Sequence, residues 1–361
     1  LPHLERVVEF TRQSAQAKSE SLDCTPYDAL LDQYDPGSRS ERIEPVFDKL
    51  FGFLKNFVGE AMEFQARQPD PIQICGIFDI DAQQRLGEKL MRRAGFDFKR
   101  GRLDTSHHPF TGGIPEDVRL TTRYDKSNFT SGLMAVLHET GHALYESGLP
   151  IKWRHQPVGA SRGMTVHESQ SLIIEMQACR SDGFIRSLAP LLHDAFGGIG
   201  DEWKAANLIR LYRRVQPDLI RVDADEVTYP LHVIMRFQLE QSLVSGELRV
   251  ADLPDAWRES MRQGLGIAPE DDRNGCLQDI HWFSGGFGYF PTYTLGAIAA
   301  AQLFDTAQRD NPNIQASLGQ GDFKPLLSWL RTHVHGYASR YSPDEILLRA
   351  TGRSFDVETF K

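Results

Sequence analysis

Apolar residues recur at three- and four-residue spacing through most of this chain, which is the period of an amphipathic helix. After the polar break Asp35-Pro36-Gly37-Ser38, residues Val46, Leu50, Phe53, Leu54 and Phe57 share one helical face. Asp81 is placed to cap a helix that closes at Gly95. Residues 97–103 and 118–124 read as two short strands flanking a turn-rich stretch, 106–115, and this is the best place for a small sheet. Asn128 or Thr130 can cap the next helix, which carries Leu133, Val136, Leu137, Ala143 and Leu144 and stops near Gly148 and Pro150. Further helices are expected over 167–188, 201–215, 227–245 and 293–309. The pattern predicts a mainly α fold with a small β-sheet. With no internal repeat and no Pro/Ser-rich linker in sight, one domain over 1–361 is expected.

Composition narrows the partners. The chain has 361 residues, 40 Lys plus Arg against 49 Asp plus Glu, and a formal charge of −9 with both signs mixed along its length. Such a balance argues against nucleic acid or an anionic membrane as the main partner. No apolar run approaches the length that crosses a bilayer. Cys24, Cys75, Cys179 and Cys276 are far apart and form no C-x-x-C pair, so neither a disulfide framework nor a thiolate metal site is suggested. A reducing, cytoplasmic setting is the simplest expectation. The opening Leu1-Pro2-His3-Leu4-Glu5-Arg6 lacks the basic segment and apolar run of a secretory signal, which points the same way.

Chemistry enters at His138-Glu139-Thr140-Gly141-His142, an H-E-x-x-H string inside a segment already read as helical. At ~100° per residue, positions four apart differ by about 40°, so both imidazoles can address one ion from a single face. Glu139, at the edge of that face, is placed to take a proton from a water activated by the ion without displacing it. A chain of this composition would contain the string on the order of a few per cent of the time by chance, so the string alone does not make a site. The plainer alternative is two structural histidines beside a solvated acid. Gly141 weighs against that alternative, because a glycine inside a helix costs ~1 kcal/mol against alanine and calls for a packing reason. A catalytic metal needs a third protein ligand and one open position. Glu168, expected near the start of a helix after the turn-like stretch 159–163, is the candidate, although an acid at a helix N-terminus also suits the macrodipole with no ion present.

In chain order the sequence carries His108-Pro109-Phe110, Asp117-Val118-Arg119-Leu120-Thr121, the H-E-x-x-H string, His167-Glu168-Ser169-Gln170, Ile220-Arg221-Val222-Asp223-Ala224-Asp225 and Gly275-Cys276-Leu277-Gln278-Asp279-Ile280-His281-Trp282. This succession resembles the thermostable (Taq-type) metallocarboxypeptidases, zinc or cobalt enzymes that remove C-terminal residues from peptides one at a time. The resemblance is dense over roughly 97–310 and weaker outside. It implies a helical fold around a deep central cleft with the small sheet near the metal, divided into an N-terminal helical region over 1–96, a catalytic core over 97–310 and a C-terminal helical region over 311–361. It implies His138, His142 and Glu168 as ligands of Zn2+, with Co2+ a possible substitute, Glu139 as general base, and a homodimer.

The same resemblance offers Arg221 as the receiver of the substrate's C-terminal carboxylate. A guanidinium suits that task by its planar bidentate match. The competing reading of Arg221 is a salt bridge to Asp223 or Asp225, and Asp225 can also orient it. In the aromatic run 283–293, Tyr293 or Tyr289 can donate to an oxyanion, with Tyr293 favoured and Tyr289 also placed to line the substrate site. His281 and His108 are expected to hydrogen-bond within the cleft. Where the family shows Trp-Glu-Asn after its ligand glutamate, this chain has Ile174-Glu175-Met176, and Glu175 is expected behind a ligand histidine. The first block also begins early, which implies a shortened N-terminal region and a different cover for the cleft. The function so implied is metal-dependent release of single C-terminal residues with broad specificity. The alternatives are an endo-acting or dipeptide-releasing oligopeptidase and a catalytically silent peptide-binding scaffold.

Overall fold

The computed structural model describes residues 1–361. Its helices are α1 (Pro2–Leu22), α2 (Pro26–Tyr34), α3 (Ser40–Ala66), α4 (Ile80–Ala94), α5 (Phe129–Ser147), α6 (Gly163–Leu172), α7 (Asp182–Phe196), α8 (Ala205–Tyr212), α9 (Tyr229–Ser245), α10 (Leu253–Leu265), α11 (Pro291–Asp310), α12 (Asn313–Leu318), α13 (Lys324–His333) and α14 (Pro343–Thr351). Between α4 and α5 lie β1 (Gly101–Thr105), β2 (Phe110–Ile114) and β3 (Asp117–Thr122). The mainly α reading with one small sheet therefore holds. No helix is long and apolar enough to cross a membrane.

The chain forms two compact units. The first comprises Leu1–Pro69 and Arg214–Leu295, the second Asp70–Arg213 and Gly296–Lys361. In the first, α9 is wrapped by α1, α2, α3 and α10. Its run Leu231–Phe237 is buried on every side, charged and polar members included, which is why its polar groups must find partners inside the protein. In the second unit the strand order is β1-β3-β2, with β1 parallel and β2 antiparallel to β3. α5 packs against this sheet and against α4 and α6, and the apolar face Phe129, Leu133, Leu137 and Leu144 joins Ile173, Ile174 and Leu188 in one core cluster.

Several local expectations need correction. Asp79, not Asp81, caps α4, its carboxylate accepting from the Ala82 N–H at 2.8 Å. Gly95 closes that helix in the left-handed conformation, as read. Asn128 rather than Thr130 caps α5. The stretch 106–115 contains the strand β2 as well as turns, because its apolar ends Phe110 and Ile114 are exposed and supply no burial pattern to read. The predicted helix over 167–188 is three elements: α6, a π-helical segment Ile173–Ala178, and α7 restarted by the Ser181 side chain capping Phe184. The helix over 201–215 shrinks to α8 behind a short turn at Asp201–Trp203.

Candidate metal centre

The site is built on α5. Its helical phase turns His138 and His142 to one side, with ring centroids 4.9 Å apart. Glu168 comes to them from α6, not at the helix start as expected but in the second turn, where it is buried. α6 reaches that place because Gly141 has no side chain: a Cβ there would lie 2.4 Å from the Gln170 carbonyl oxygen and 2.5 Å from the Ser171 Cα. Gly296 of α11 does the same on the other side of Glu168, whose Cβ and Cγ would each lie 2.8 Å from an added Cβ.

Glu168 Oε2 lies 3.7 Å from His138 Nε2 and 3.3 Å from His142 Nε2, and the three ligand atoms fall within 4.8 Å of one another. Atoms set tetrahedrally at ~2.0–2.2 Å from one ion are about 3.4 Å apart, so the two imidazoles and the carboxylate fit a single metal ion with a fourth position open. Glu139 is buried beside them.

Both histidines of this candidate site are held by a neighbour. His138 Nδ1 hydrogen-bonds Glu175 Oε2 at 2.9 Å, as expected of Glu175, and Glu175 in turn accepts from Arg180 Nη2 at 2.7 Å. With Nδ1 committed to Glu175, Nε2 is the nitrogen left on the side of Glu168, the side a metal ion would occupy. His142 Nδ1 lies 2.7 Å from His167 Nδ1, and His167 Nε2 meets Glu146 Oε1 at 2.8 Å. Burial opposes charge on His138, yet Glu168 and Glu175 outweigh it and raise its pKa to about 10. Burial likewise opposes charge on Glu175, but Arg180 and His138 hold it down at about 2. A cluster that holds two carboxylates ionised calls for positive charge, which a divalent ion supplies in place of the proton.

The first unit holds a second cluster. Arg221 is buried with its Nε and Nη2 both 2.9 Å from Asp279 Oδ1, and its Nη1 donates to the Tyr229 hydroxyl at 2.8 Å. Arg236, fully buried, takes the other oxygen of Asp279 at 2.6–2.7 Å. Arg221 thus pairs with Asp279, an acid that the sequence reading did not consider. Asp225 does not orient Arg221: its oxygens accept from the backbone of Gln216, Val227 and Thr228 and from the Thr228 hydroxyl, fixing the approach to α9. Two guanidiniums sharing one carboxylate leave an excess positive charge in this hydrogen-bonded group. The rings of Tyr293 and Phe290 lie 5.1 and 5.5 Å from the Arg221 guanidinium. His281 Nε2 is 3.1 Å from the Tyr293 hydroxyl, and Tyr289 packs on both rings. His108 is exposed at the entry to β2, its Nδ1 3.1 Å from the Pro109 carbonyl.

Sequence reasoning missed Asp279, Arg180, His167, Glu146 and Thr111. Thr111 donates to Glu139 Oε2 at 2.6 Å. Asp279 and His167 stood inside quoted blocks, so the only available signal was their place in those blocks.

A helical scaffold with two imidazoles, a carboxylate and a flanking acid around one ion position defines a metal-dependent hydrolase. Comparison with known proteins narrows the class. The family model described as carboxypeptidase Taq (M32) metallopeptidase matches residues 1–361. Thermostable carboxypeptidase 1 of Thermus thermophilus is 40% identical over 369 residues, covering 100% of this chain and 72% of the relative. Its namesake from Pyrococcus furiosus is 35% identical, over 99% of this chain and 72% of its own length. Among solved structures, metallocarboxypeptidase 1 of Trypanosoma cruzi superposes with a TM-score of 0.96 at 37% identity, covering 99% of this chain and 75% of that one. The chain belongs to the carboxypeptidase Taq (M32) family of metallopeptidases and is a metal-dependent carboxypeptidase, a hydrolase of peptide bonds.

Proposed function

We propose that this chain removes single residues from the free C-terminus of peptides with broad side-chain tolerance, using zinc held by His138, His142 and Glu168, and that it works as a cytoplasmic homodimer. Cobalt is the expected substitute, since imidazole and carboxylate donors suit both ions. The observation that carries the reading is the buried Glu139 beside the three-ligand cluster, with one carboxylate oxygen engaged by Thr111.

The metal, when bound, supplies Lewis acidity that polarises the scissile carbonyl and makes water a nucleophile near neutral pH. Glu139 takes the proton of the attacking water and returns it to the leaving amine. Tyr293 is assigned to the developing oxyanion: its phenol has a proton to donate, and His281 Nε2, 3.1 Å from its oxygen, holds it in place. Arg221 is assigned to the terminal carboxylate. The planar guanidinium, held rigid by Asp279 and Tyr229, supports this by its bidentate match to a carboxylate. Tyr289 and His108 are assigned to the substrate's flanks.

The test is a mass-spectrometric time course on one unstructured peptide with a free or an amidated C-terminus, with zinc, with cobalt and with chelator. A ladder of single-residue losses from the free end alone, and only with metal, is expected. Internal cuts in both peptides would move the activity to an endopeptidase. No cleavage by the metal-loaded protein would leave a silent scaffold. Glu139→Gln is expected to lower kcat at least 10³-fold, on the order of what a lost catalytic base costs.

A further inference from the structure

We infer that Thr111 is a positioning residue for the general base: its hydroxyl holds one oxygen of Glu139 so that the other alone faces the water. This rests on the assignment of Glu139 as base. Thr111 lies on β2, paired with Leu120 of β3, in a strand packed against α5. Its Oγ1 is 2.6 Å from Glu139 Oε2 and 3.1 Å from the Glu139 backbone carbonyl. A hydroxyl has a single proton, and at these distances it goes to the carboxylate, the shorter and charge-assisted bond.

The start of β2 is itself fixed. The Ser106 hydroxyl donates to the His108 carbonyl and lies 2.6 Å from the Thr121 hydroxyl, to which the Phe110 N–H donates at 3.2 Å. Thr111 is therefore presented from a braced strand, and its β-branched side chain restricts χ1. A free glutamate side chain loses rotamer freedom when it is ordered. Thr111 meets a share of that cost before substrate arrives, and it removes the second carboxylate oxygen from competition for the water. In the sequence, Thr111 directly follows His108-Pro109-Phe110, so that block serves the site through the residue after it.

The experiment compares Thr111→Val, Thr111→Ser, Glu139→Gln and the Thr111→Val/Glu139→Gln double variant as metal-loaded proteins. Steady-state kinetics, metal affinity by chelator competition and melting temperature are measured on each. Thr111→Val keeps shape and β propensity, and it is expected to lower kcat about 10- to 100-fold with KM, metal affinity and melting temperature near wild type, the loss appropriate to one hydrogen bond to a charged group. Thr111→Ser is expected to recover kcat to within about threefold, since the donor is kept. In the Glu139→Gln background the Val substitution is expected to add nothing. Wild-type kcat in Thr111→Val beside an inactive Glu139→Gln would overturn the role of Thr111 and leave the base assignment standing. An active Glu139→Gln would overturn the base assignment itself. Loss of metal or of melting temperature in Thr111→Val, or no recovery in Thr111→Ser, would make Thr111 a structural residue and sink the proposal.

Discussion

At the scale of single residues, each functional group has its freedom removed by a neighbour distant in sequence. Glu175 is 37 positions from His138, Thr111 is 28 from Glu139, and Asp279 is 58 from Arg221. The carboxylate behind His138 fixes which ring nitrogen carries the proton, so Glu175→Ala is expected to weaken metal binding about 10- to 100-fold, read by chelator competition. Arg180→Met should have a smaller effect in the same direction, because Glu175 then keeps His138 but loses the cation that holds it ionised. For Arg221→Ala the geometry separates recognition from folding. Asp279 retains Arg236 at 2.6 Å, so the buried carboxylate is not orphaned. A rise in KM of roughly tenfold or more for peptides with a free C-terminus, and little change in melting temperature, is the expected outcome. Equal KM for free-ended peptides in the variant and the wild type would remove Arg221 from substrate binding.

At the scale of elements, the site depends on how closely α6 is allowed to approach α5. The atoms an alanine Cβ would strike at Gly141 are backbone, which has little room to yield. Gly141→Ala gains ~1 kcal/mol of helix propensity and still is expected to destabilise by about 1–3 kcal/mol, with metal affinity falling as Glu168 is pushed away. Calorimetry and metal titration on the same variant check both halves. The helix α5 was legible in the sequence because its cap, its apolar spacing and its ligand spacing all agree. The candidate pair His138 and His142, which the structure brings onto one side of α5, followed from that agreement. The strand β2 was not legible: its apolar residues are exposed and it contains Gly112-Gly113, which read as turn. The π-helical segment after α6 likewise leaves no compositional mark, yet it separates α6 from α7 and carries Glu175. Periodicity reports contacts within one element. It carries no information on which carboxylate from another element a histidine or arginine will meet, and for Arg221 the acid it meets, Asp279, lies 58 positions away.

At the scale of the whole molecule, the mixed exposed charges that set the net −9 matter less to pH behaviour than a few buried groups do. Asp279 is one. Burial opposes its charge, but Arg236 and Arg221 lower its pKa to about 2, so its ion pairs stabilise the fold above the unfolded value near 3.8 and are lost as pH falls from there toward 2. Glu240 works in the opposite sense. Fully buried in α9, it accepts from the Tyr27 hydroxyl and the Gly288 N–H through one oxygen and from Trp282 Nε1 through the other, and burial outweighs these donors to raise its pKa to about 7. Between about 4.5 and 7 the folded chain then holds a proton that the unfolded chain has released, so stability falls as pH rises through that window and stays lower above it. The displacement from 4.5 to about 7 corresponds to a component on the order of 3 kcal/mol. Urea unfolding of the wild type and of Glu240→Gln at intervals from pH 5 to 8 isolates it. The variant is expected to be less stable throughout, because an amide N–H opposes one of the three donors, but its curve should lack the downward slope that the carboxylate imposes. Parallel curves for the two proteins would place the titration of this region somewhere other than Glu240.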